Sequence, residues 1–510
     1  MAEETGRTIE ALMRAGAEAA TALDAPGGRP LSFGALRALM RRTVEDLNAH
    51  GVGRGDRVAI VLDNGPAMAA AFIAIAAGAT SAPLNPAYRA EEFEFYLTDL
   101  RARVLVAAEG SESPAVAVAE KLGVPVVRLR ETPEAGAGSF TLAFPHPAAP
   151  AATGGPAEAD DVALVLHTSG TTSRPKIVPL SQANVCASAR NIRTALAFTP
   201  GDRGLSIMPL FHIHGLIAGI LAPLSAGGSV SCTPGFNALK FFAWMDEVGP
   251  TWYTAVPTMH QAILGRAGRN REIIARHPLR FLRSSSSSMP PQVLRELEAV
   301  FGAPLIEAYG MTEAAHQMAS NPLPPRARKA GSVGIPAGPD IQVVDAAGNP
   351  LPAGETGEIV IRGDNVMAGY ENNPKANAEA FTPQGYFRTG DQGVMDAEGY
   401  LTITGRLKEI INRGGEKISP REVDEILMDH PAVAQCVTFA VPHDKLGEEV
   451  GAAVVLREGQ HVDDKELRAF VAARAAAFKV PSRIMVLDEI PKGATGKLQR
   501  IGLAAKLGLA

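Results

Sequence analysis

Cysteine is scarce in this chain: 510 residues contain three, Cys186, Cys232 and Cys436. They lie far apart and in no metal-ligand spacing, which excludes a disulfide framework or a cysteine-built metal site and reads as reduced cytosolic thiols. Excess charge is also missing. Net charge is -5, with 49 Lys and Arg against 54 Asp and Glu, so nothing electrostatic points to nucleic acid or an anionic membrane as partner. The first residues lack a basic start followed by an apolar core, and the last four, Leu-Gly-Leu-Ala, form no peroxisomal address, so a cytoplasmic protein is expected. Two runs without charge, between Asp63 and Arg89 and between Arg203 and Lys240, have the length of membrane spans. Prolines interrupt both (Pro66, Pro83 and Pro86; Pro209, Pro223 and Pro234), so they are read as buried elements of an α/β core.

What is present is a soluble globular composition, 46% hydrophobic and 20% charged, on a chain long enough for two to four domains. A helical pattern from Ser32 to Gly51 leads through a glycine-rich turn to the strand-like run Arg57–Leu62. Helices near Met68–Ala77 and Glu91–Leu100 alternate with short apolar strands such as Arg103–Ala107, the mark of a layered α/β sheet. The Ala/Pro/Gly-rich segment Thr132–Asp161 reads as a surface connection, and a helix is expected from about Leu180 to Ala197.

Between these two segments an apolar strand, Val162–Leu166, ends in His-Thr-Ser-Gly-Thr-Thr-Ser-Arg-Pro-Lys, residues 167–176. Small residues let backbone N–H groups converge on an anion; hydroxyls at Thr168, Ser169, Thr171 and Thr172 add donors, and Lys176 adds countercharge. The same composition serves a solvated turn, and composition does not separate the two. Walker spacing is absent, so nucleotide chemistry here would be of another class.

Further along, His212 and His214 stand two apart beside Phe211, without a third metal ligand nearby. A strand at Leu279–Arg283 runs into five serines, Ser284–Ser288. With a patterned helix following directly, they read as small residues that let a ligand approach a strand end. The strand Pro304–Ala308 ends in Tyr309-Gly-Met-Thr-Glu313, with His316 close behind. Dense glycine and proline from Gly331 to Gly357 mark a β subdomain. A boundary is expected near Gly405, after which about 105 residues suffice for a compact α+β domain. Its first helix is expected to start at Ser419 as N-cap, with Pro420 next and Glu422 closing a capping box.

Five stretches in fixed order, Thr168–Lys176, Tyr309–Glu313, Tyr386–Asp391, Gly405–Lys417 and Pro491–Lys497, resemble the signatures of the adenylate-forming acyl-CoA synthetase family. Two glycines of that family's phosphate loop are replaced, by Ser173 and Ile177. The resemblance covers nearly the whole chain. It implies an α/β fold with a large N-terminal adenylation domain (1–405, with the β-rich subdomain) and a small mobile α+β lid (406–510). It also implies the substrates and cofactors: ATP, Mg2+, coenzyme A and a small carboxylic acid, joined through an acyl adenylate. By position, Thr168, Ser169, Gly170, Thr171, Thr172 and Lys176 would hold the β- and γ-phosphates, Thr312 the α-phosphate and Glu313 the magnesium ion. Tyr309 would stack on adenine, Asp391 would bind the ribose hydroxyls, and Arg406 would reach ribose and phosphate. Lys497 would bridge the carboxylate and the α-phosphate, and Lys408 would be the hinge on which the lid swings.

Within the family the chain resembles the oxalate-CoA ligase subgroup, through 167–176 with serine at 173, Pro209–Leu216, Glu307–His316 and Ser320–Pro324. Oxalate is a tiny dianion and wants a short, polar, positively biased pocket. His212, His214, His316 and the hydroxyls of Ser286, Ser287 and Ser288 would form one if they converge, with His212 also a catalytic candidate. A short-chain or aryl acyl-CoA ligase, or a binding protein that has kept the fold without the chemistry, are the alternatives. Intact Lys497, Glu313 and Asp391 argue against the last.

Overall fold

A computed structural model describes residues 6–168, 175–491 and 498–509. The residues Ser169, Gly170, Thr171 and Thr172 of the expected phosphate loop, and Lys497 in the tail, lie outside the described residues. Among the described residues four sheets carry the fold. A seven-stranded sheet runs Phe140–Ala143, Val126–Glu131, Val104–Ala108, Arg57–Val61, Thr80–Pro83, Val162–His167, Ile177–Ser181 across its width. A nine-stranded sheet has a parallel centre in which Leu305–Met311, Phe281–Ser284, Trp252–Ala255, Arg203–Ser206 and Ser229–Cys232 follow one another. Four antiparallel strands between Asp340 and Arg406 make the β subdomain, and five strands after Ile411 make the small C-terminal sheet. This is the mixed α/β architecture, with a large N-terminal and a small C-terminal part, that the motifs imply.

Both uncharged runs are buried elements. Pro66–Ala76 starts with proline in its first turn, and every residue from Ala67 to Ala76 is buried, as expected of a helix apolar on all sides. The second run contains an eight-residue π-helix, His214–Leu221, also buried throughout. Helix Phe33–Ala49 follows its pattern: the Ser32 hydroxyl accepts from the Ala35 N–H, and Phe33, Leu36, Leu39, Met40, Val44 and Leu47 face the core. Among the described residues no helix is long and apolar enough to cross a membrane.

Three local expectations are corrected. The segment Thr132–Asp161 is not wholly a connection: Phe140–Ala143 pairs antiparallel with Val126–Glu131, anchored by buried Phe140. The run is too short for alternation to show. The expected helix from Leu180 begins at Gln182, because Ile177–Ser181 forms an edge strand against Val162–His167. An edge position accommodates Pro179, which has no N–H to donate. Ser419 does precede Pro420–Met428, but there is no capping box. The Ser419 hydroxyl donates to the Thr404 carbonyl instead, and Glu422 takes Lys479 at 2.6 Å.

Candidate active site

The candidate residues gather where parallel strands of the large sheet end, the edge at which open α/β sheets bind ligands. Thr254 and Arg283 are register partners on adjacent strands, so their side chains leave the sheet on one face. Arg283 is fully buried, yet among the described residues no carboxylate pairs with it. Its Nη1 lies 3.2 Å from His214 Nε2 and 3.4 Å from Thr254 Oγ1; its Nη2 lies 3.1 Å from His316 Nε2 and 3.3 Å from Gln317 Oε1. Nε is buried without a partner. Burial alone pushes the guanidinium down to about 9. The two imidazoles stack, with centroids 4.8 Å apart and planes 18° from parallel. His214 also reaches Thr254 Oγ1 (2.7 Å, from Nε2) and Ser286 Oγ (3.0 Å, from Nδ1). Behind Arg283, buried His260 takes Tyr253 OH at Nδ1 (3.1 Å) and donates Nε2–H to the Arg283 carbonyl (3.0 Å), and burial holds it down to about 4.

The serine run is a corner of the fold rather than a linker. Ser284 closes its strand, and buried Ser285 donates to the Ala308 carbonyl at 2.9 Å. Ser286 takes a φ of 72°, a left-handed conformation rare for serine, with its hydroxyl at His214. Ser287 is exposed and Ser288 half-buried, and neither joins the hydrogen bonds of this cluster. His316 also has positive φ, 100°, where it opens the second strand of a hairpin (Leu305–Met311 with His316–Ser320). Gly310 makes that hairpin possible: a Cβ there would lie 1.9 Å from the His316 carbonyl oxygen. His212 sits half-buried, its ring tilted against Phe211 at 5.5 Å.

A second group lies around Glu313. This carboxylate is buried, and Tyr370 OH donates to its Oε1 at 2.8 Å. Burial raises its carboxyl above the ordinary value, against the Tyr370 bond and the charges of Arg406 and Lys176. Lys176 Nζ stands 4.3 Å over the Tyr370 ring. Thr168, at the near end of the phosphate loop, accepts from the Lys176 N–H through Oγ1 (3.2 Å) and donates its own N–H to the Lys176 carbonyl (2.9 Å). The pair thereby closes the base of the loop. Thr312 is half-buried in the short turn Thr312–Ala314 beside it. Tyr309 OH donates to Asp391 Oδ2 (2.5 Å), and Arg406 Nε to Asp391 Oδ1 (3.2 Å) across the strand pair that joins 391 to 406. Burial pushes the Tyr309 phenol up, and Asp391 first among its causes raises the Arg406 guanidinium. Lys408 is exposed in the connection between Leu401–Arg406 and Ile411–Arg413.

Sequence reasoning missed Arg283, Thr254, Gln317 and Tyr370. Arg280 and Arg283 look alike in the sequence, but among the described residues Arg280 pairs with Asp202 at 2.8 Å and Arg283 pairs with no acid. An arginine placed inside a run that must be buried on both faces was the available signal.

A mixed α/β fold with a buried carboxylate at Glu313 and the Tyr309–Asp391–Arg406 group fits a nucleotide-dependent enzyme of the adenylate-forming type. The chain belongs to the AMP-binding enzyme family, which matches residues 11–371, with its C-terminal domain matching 422–497. It is 46% identical over 478 residues to a probable CoA ligase, CCL9, of Humulus lupulus (92% of this chain, 90% of the relative). It is 45% identical over 485 residues to the oxalate–CoA ligase of Arabidopsis thaliana (94% of each). To that of Saccharomyces cerevisiae it is 42% identical over 473 residues (88% of this chain, 86% of the relative). The crystal structure of ATP-bound MatB from Rhodopseudomonas palustris superposes with a TM-score of 0.88 at 29% identity, over 98% of this chain and 99% of that one.

Proposed function

We propose that this enzyme is an AMP-forming oxalate–CoA ligase. A carboxylate oxygen of oxalate attacks the α-phosphate of ATP and pyrophosphate leaves; the thiol of coenzyme A then attacks the acyl carbon, a thioester forms, and AMP leaves with its oxygen. The observation that carries the choice of acid is the cluster of Arg283, His214, His316 and Ser286, small, polar and with a buried positive charge. Two oxalate–CoA ligases among the relatives support it.

Adenylyl transfer needs alignment and charge neutralisation more than a covalent nucleophile. Lys176 and Thr168, with Ser169–Thr172, would hold the outer phosphates, and Thr312 the α-phosphate. Asp391 would take the ribose hydroxyls, steadied by Tyr309 and Arg406, and the buried Tyr309 ring would serve as the adenine platform. Glu313 fits Mg2+: it is a buried carboxylate whose charge the chain only partly compensates, and among the described residues no set of three His, Cys, Asp or Glu forms a dedicated metal cage. One protein carboxylate with phosphate oxygens and water is the usual Mg2+ arrangement. When bound, the ion neutralises phosphate charge. We place the domain boundary at 405/406 and the hinge at Lys408, with Lys497 carrying the first half-reaction. The three thiols, buried and unpaired, support a cytoplasmic setting.

A second reading, a ligase for a less polar acid, has one observation in its favour. A cavity of about 180 Å³ lined by Leu62, Met68, Leu84, Phe211 and Phe236 opens beside His212. CoA-dependent pyrophosphate release with oxalate, acetate, malonate and coumarate separates the two. Oxalate should be activated far better than the others; a preference for coumarate would overturn the oxalate reading.

A further inference from the structure

The hydrogen bonds of the buried cluster have a direction. A guanidinium only donates, and Arg283 aims one terminal nitrogen at Nε2 of each stacked imidazole, at 3.2 Å for His214 and 3.1 Å for His316. Both Nε2 atoms are therefore acceptors, and both rings carry their proton on Nδ1. An imidazolium in either place would set an N–H against a guanidinium N–H. Thr254 obeys the same sense, accepting from Arg283 (3.4 Å) and donating to His214 Nε2 (2.7 Å). His214 Nδ1–H then donates to Ser286 Oγ at 3.0 Å, which leaves the Ser286 hydroxyl hydrogen for a further acceptor. Among the described residues Ser286 has no hydrogen-bond acceptor for it. The left-handed backbone of Ser286 holds the hydroxyl in this place.

We propose that Arg283 is a positioning residue for the acid. It starts a one-way relay, Arg283 to His214 to Ser286, that ends in a donor and so selects an anionic carboxylate over a group bearing its own N–H or O–H. The relay supplies a positive field without bringing the guanidinium itself onto the substrate. The inference rests on the oxalate reading for the acid that is tested. Oxamate, in which an amide replaces the second carboxylate at almost the same size, is the discriminating probe.

The test uses the full-length wild type, Arg283→Met and Arg283→Lys in pyrophosphate release with oxalate and with oxamate, and imidazole 15N spectra of histidine-labelled wild type. In Arg283→Met the KM for oxalate should rise by about tenfold or more, the loss of one charge-assisted step. The oxalate-to-oxamate ratio of kcat/KM should fall in the same measure, the KM for ATP should stay within about twofold, and Arg283→Lys should recover part of the ratio. Equal losses for both acids, or a fall in kcat at unchanged oxalate KM, would mean a merely structural arginine and overturn the proposal. The spectra should show Nδ1–H and bare Nε2 at His214 and His316; Nε2–H at either one overturns the relay even if Arg283→Met does not fold. A wild type with Nδ1–H at both His214 and His316 that does not prefer oxalate would sink the oxalate reading and leave the relay standing.

Discussion

Removing one oxygen from Tyr370 tests the role of Glu313 alone. The Tyr370 hydroxyl donates to Glu313 Oε1 at 2.8 Å, while its ring lies under Lys176 Nζ at 4.3 Å. Tyr370→Phe deletes the first contact and keeps the second. Burial already raises the Glu313 carboxyl, and the Tyr370 bond is one of the effects that hold it down. A hydrogen bond to a charged group contributes about 1.5–3 kcal/mol. Losing it removes one of the effects that oppose burial, so the carboxyl rises further above its ordinary value. Glu313 must be ionised to receive Mg2+ and ATP, so activity falls as pH drops through its pKa. A higher pKa therefore moves the acid limb to higher pH. The measurement is kcat/KM for ATP at saturating Mg2+ by pyrophosphate release from about pH 5 to 9, which reports the free enzyme. The variant's acid limb should lie at higher pH than the wild type's, with the two profiles converging on the alkaline side, where both carboxyls are ionised. Superimposed limbs, or a displacement to lower pH, would refute the assignment of Glu313 as the magnesium carboxylate.

Glu307 is buried, accepts the Met289 N–H at 3.0 Å, and is pushed up from 4.5 to about 7 by burial. The native state thus binds the extra proton across that window and loses stability as pH rises through it. Glu307→Gln should therefore match the wild-type Tm at pH 5 and exceed it at pH 8 in calorimetry; a pH-independent difference would contradict this. In Gly310→Ala the new Cβ meets backbone, 1.9 Å from the His316 oxygen and 2.6 Å from its carbonyl carbon, so no rotamer relieves it. The hairpin must move by an ångström or more, with a loss of about 10²-fold in oxalate kcat/KM and about 1–3 kcal/mol in stability; a wild-type oxalate KM would disprove the dependence on His316 placement. Lys497→Ala should abolish adenylate formation and spare thioester formation from preformed acyl adenylate, measured as separate half-reactions; equal loss of both would refute its role.

Helices such as Phe33–Ala49 and Pro291–Phe301 are legible from sequence because their apolar residues recur on one face. Phe140–Ala143 and Ile177–Ser181 are not, since four or five residues at a sheet edge carry too little periodicity and their pairing is non-local. The capping box at Ser419 fails for a related reason. Its hydroxyl finds the Thr404 carbonyl, fifteen residues away, and local chemistry cannot anticipate that. At the site the division is the same. His214, Ser286 and His316 are recognisable as polar groups in apolar surroundings, and the start of helix His214–Leu221, the turn after Phe281–Ser284 and the hairpin at His316 bring them together. Ser287 and Ser288, identical to Ser286 as letters, follow the turn that the chain makes at residue 286 with φ of 72°, where Ser287 is exposed and Ser288 half-buried.

Arg283 ties these observations into one argument about selectivity. Among the described residues its fully buried guanidinium has no carboxylate, a standing cost, since desolvation is not repaid there by an opposite charge. The chain surrounds it with His214, His316, Thr254 and Gln317, all of which accept hydrogen bonds and none of which brings negative charge. Among the described residues the cluster therefore stays net positive until an acid binds. Acetate is no larger than oxalate, so a steric wall built for oxalate cannot exclude it. Only the second carboxylate distinguishes them, and a site that rejects acetate must do so by withholding part of its binding energy from an acid with one charge. On this reading the cost carried in the free enzyme is recovered in the complex with a dianion and left unrecovered with a monoanion. That difference, rather than pocket size, sets the preference.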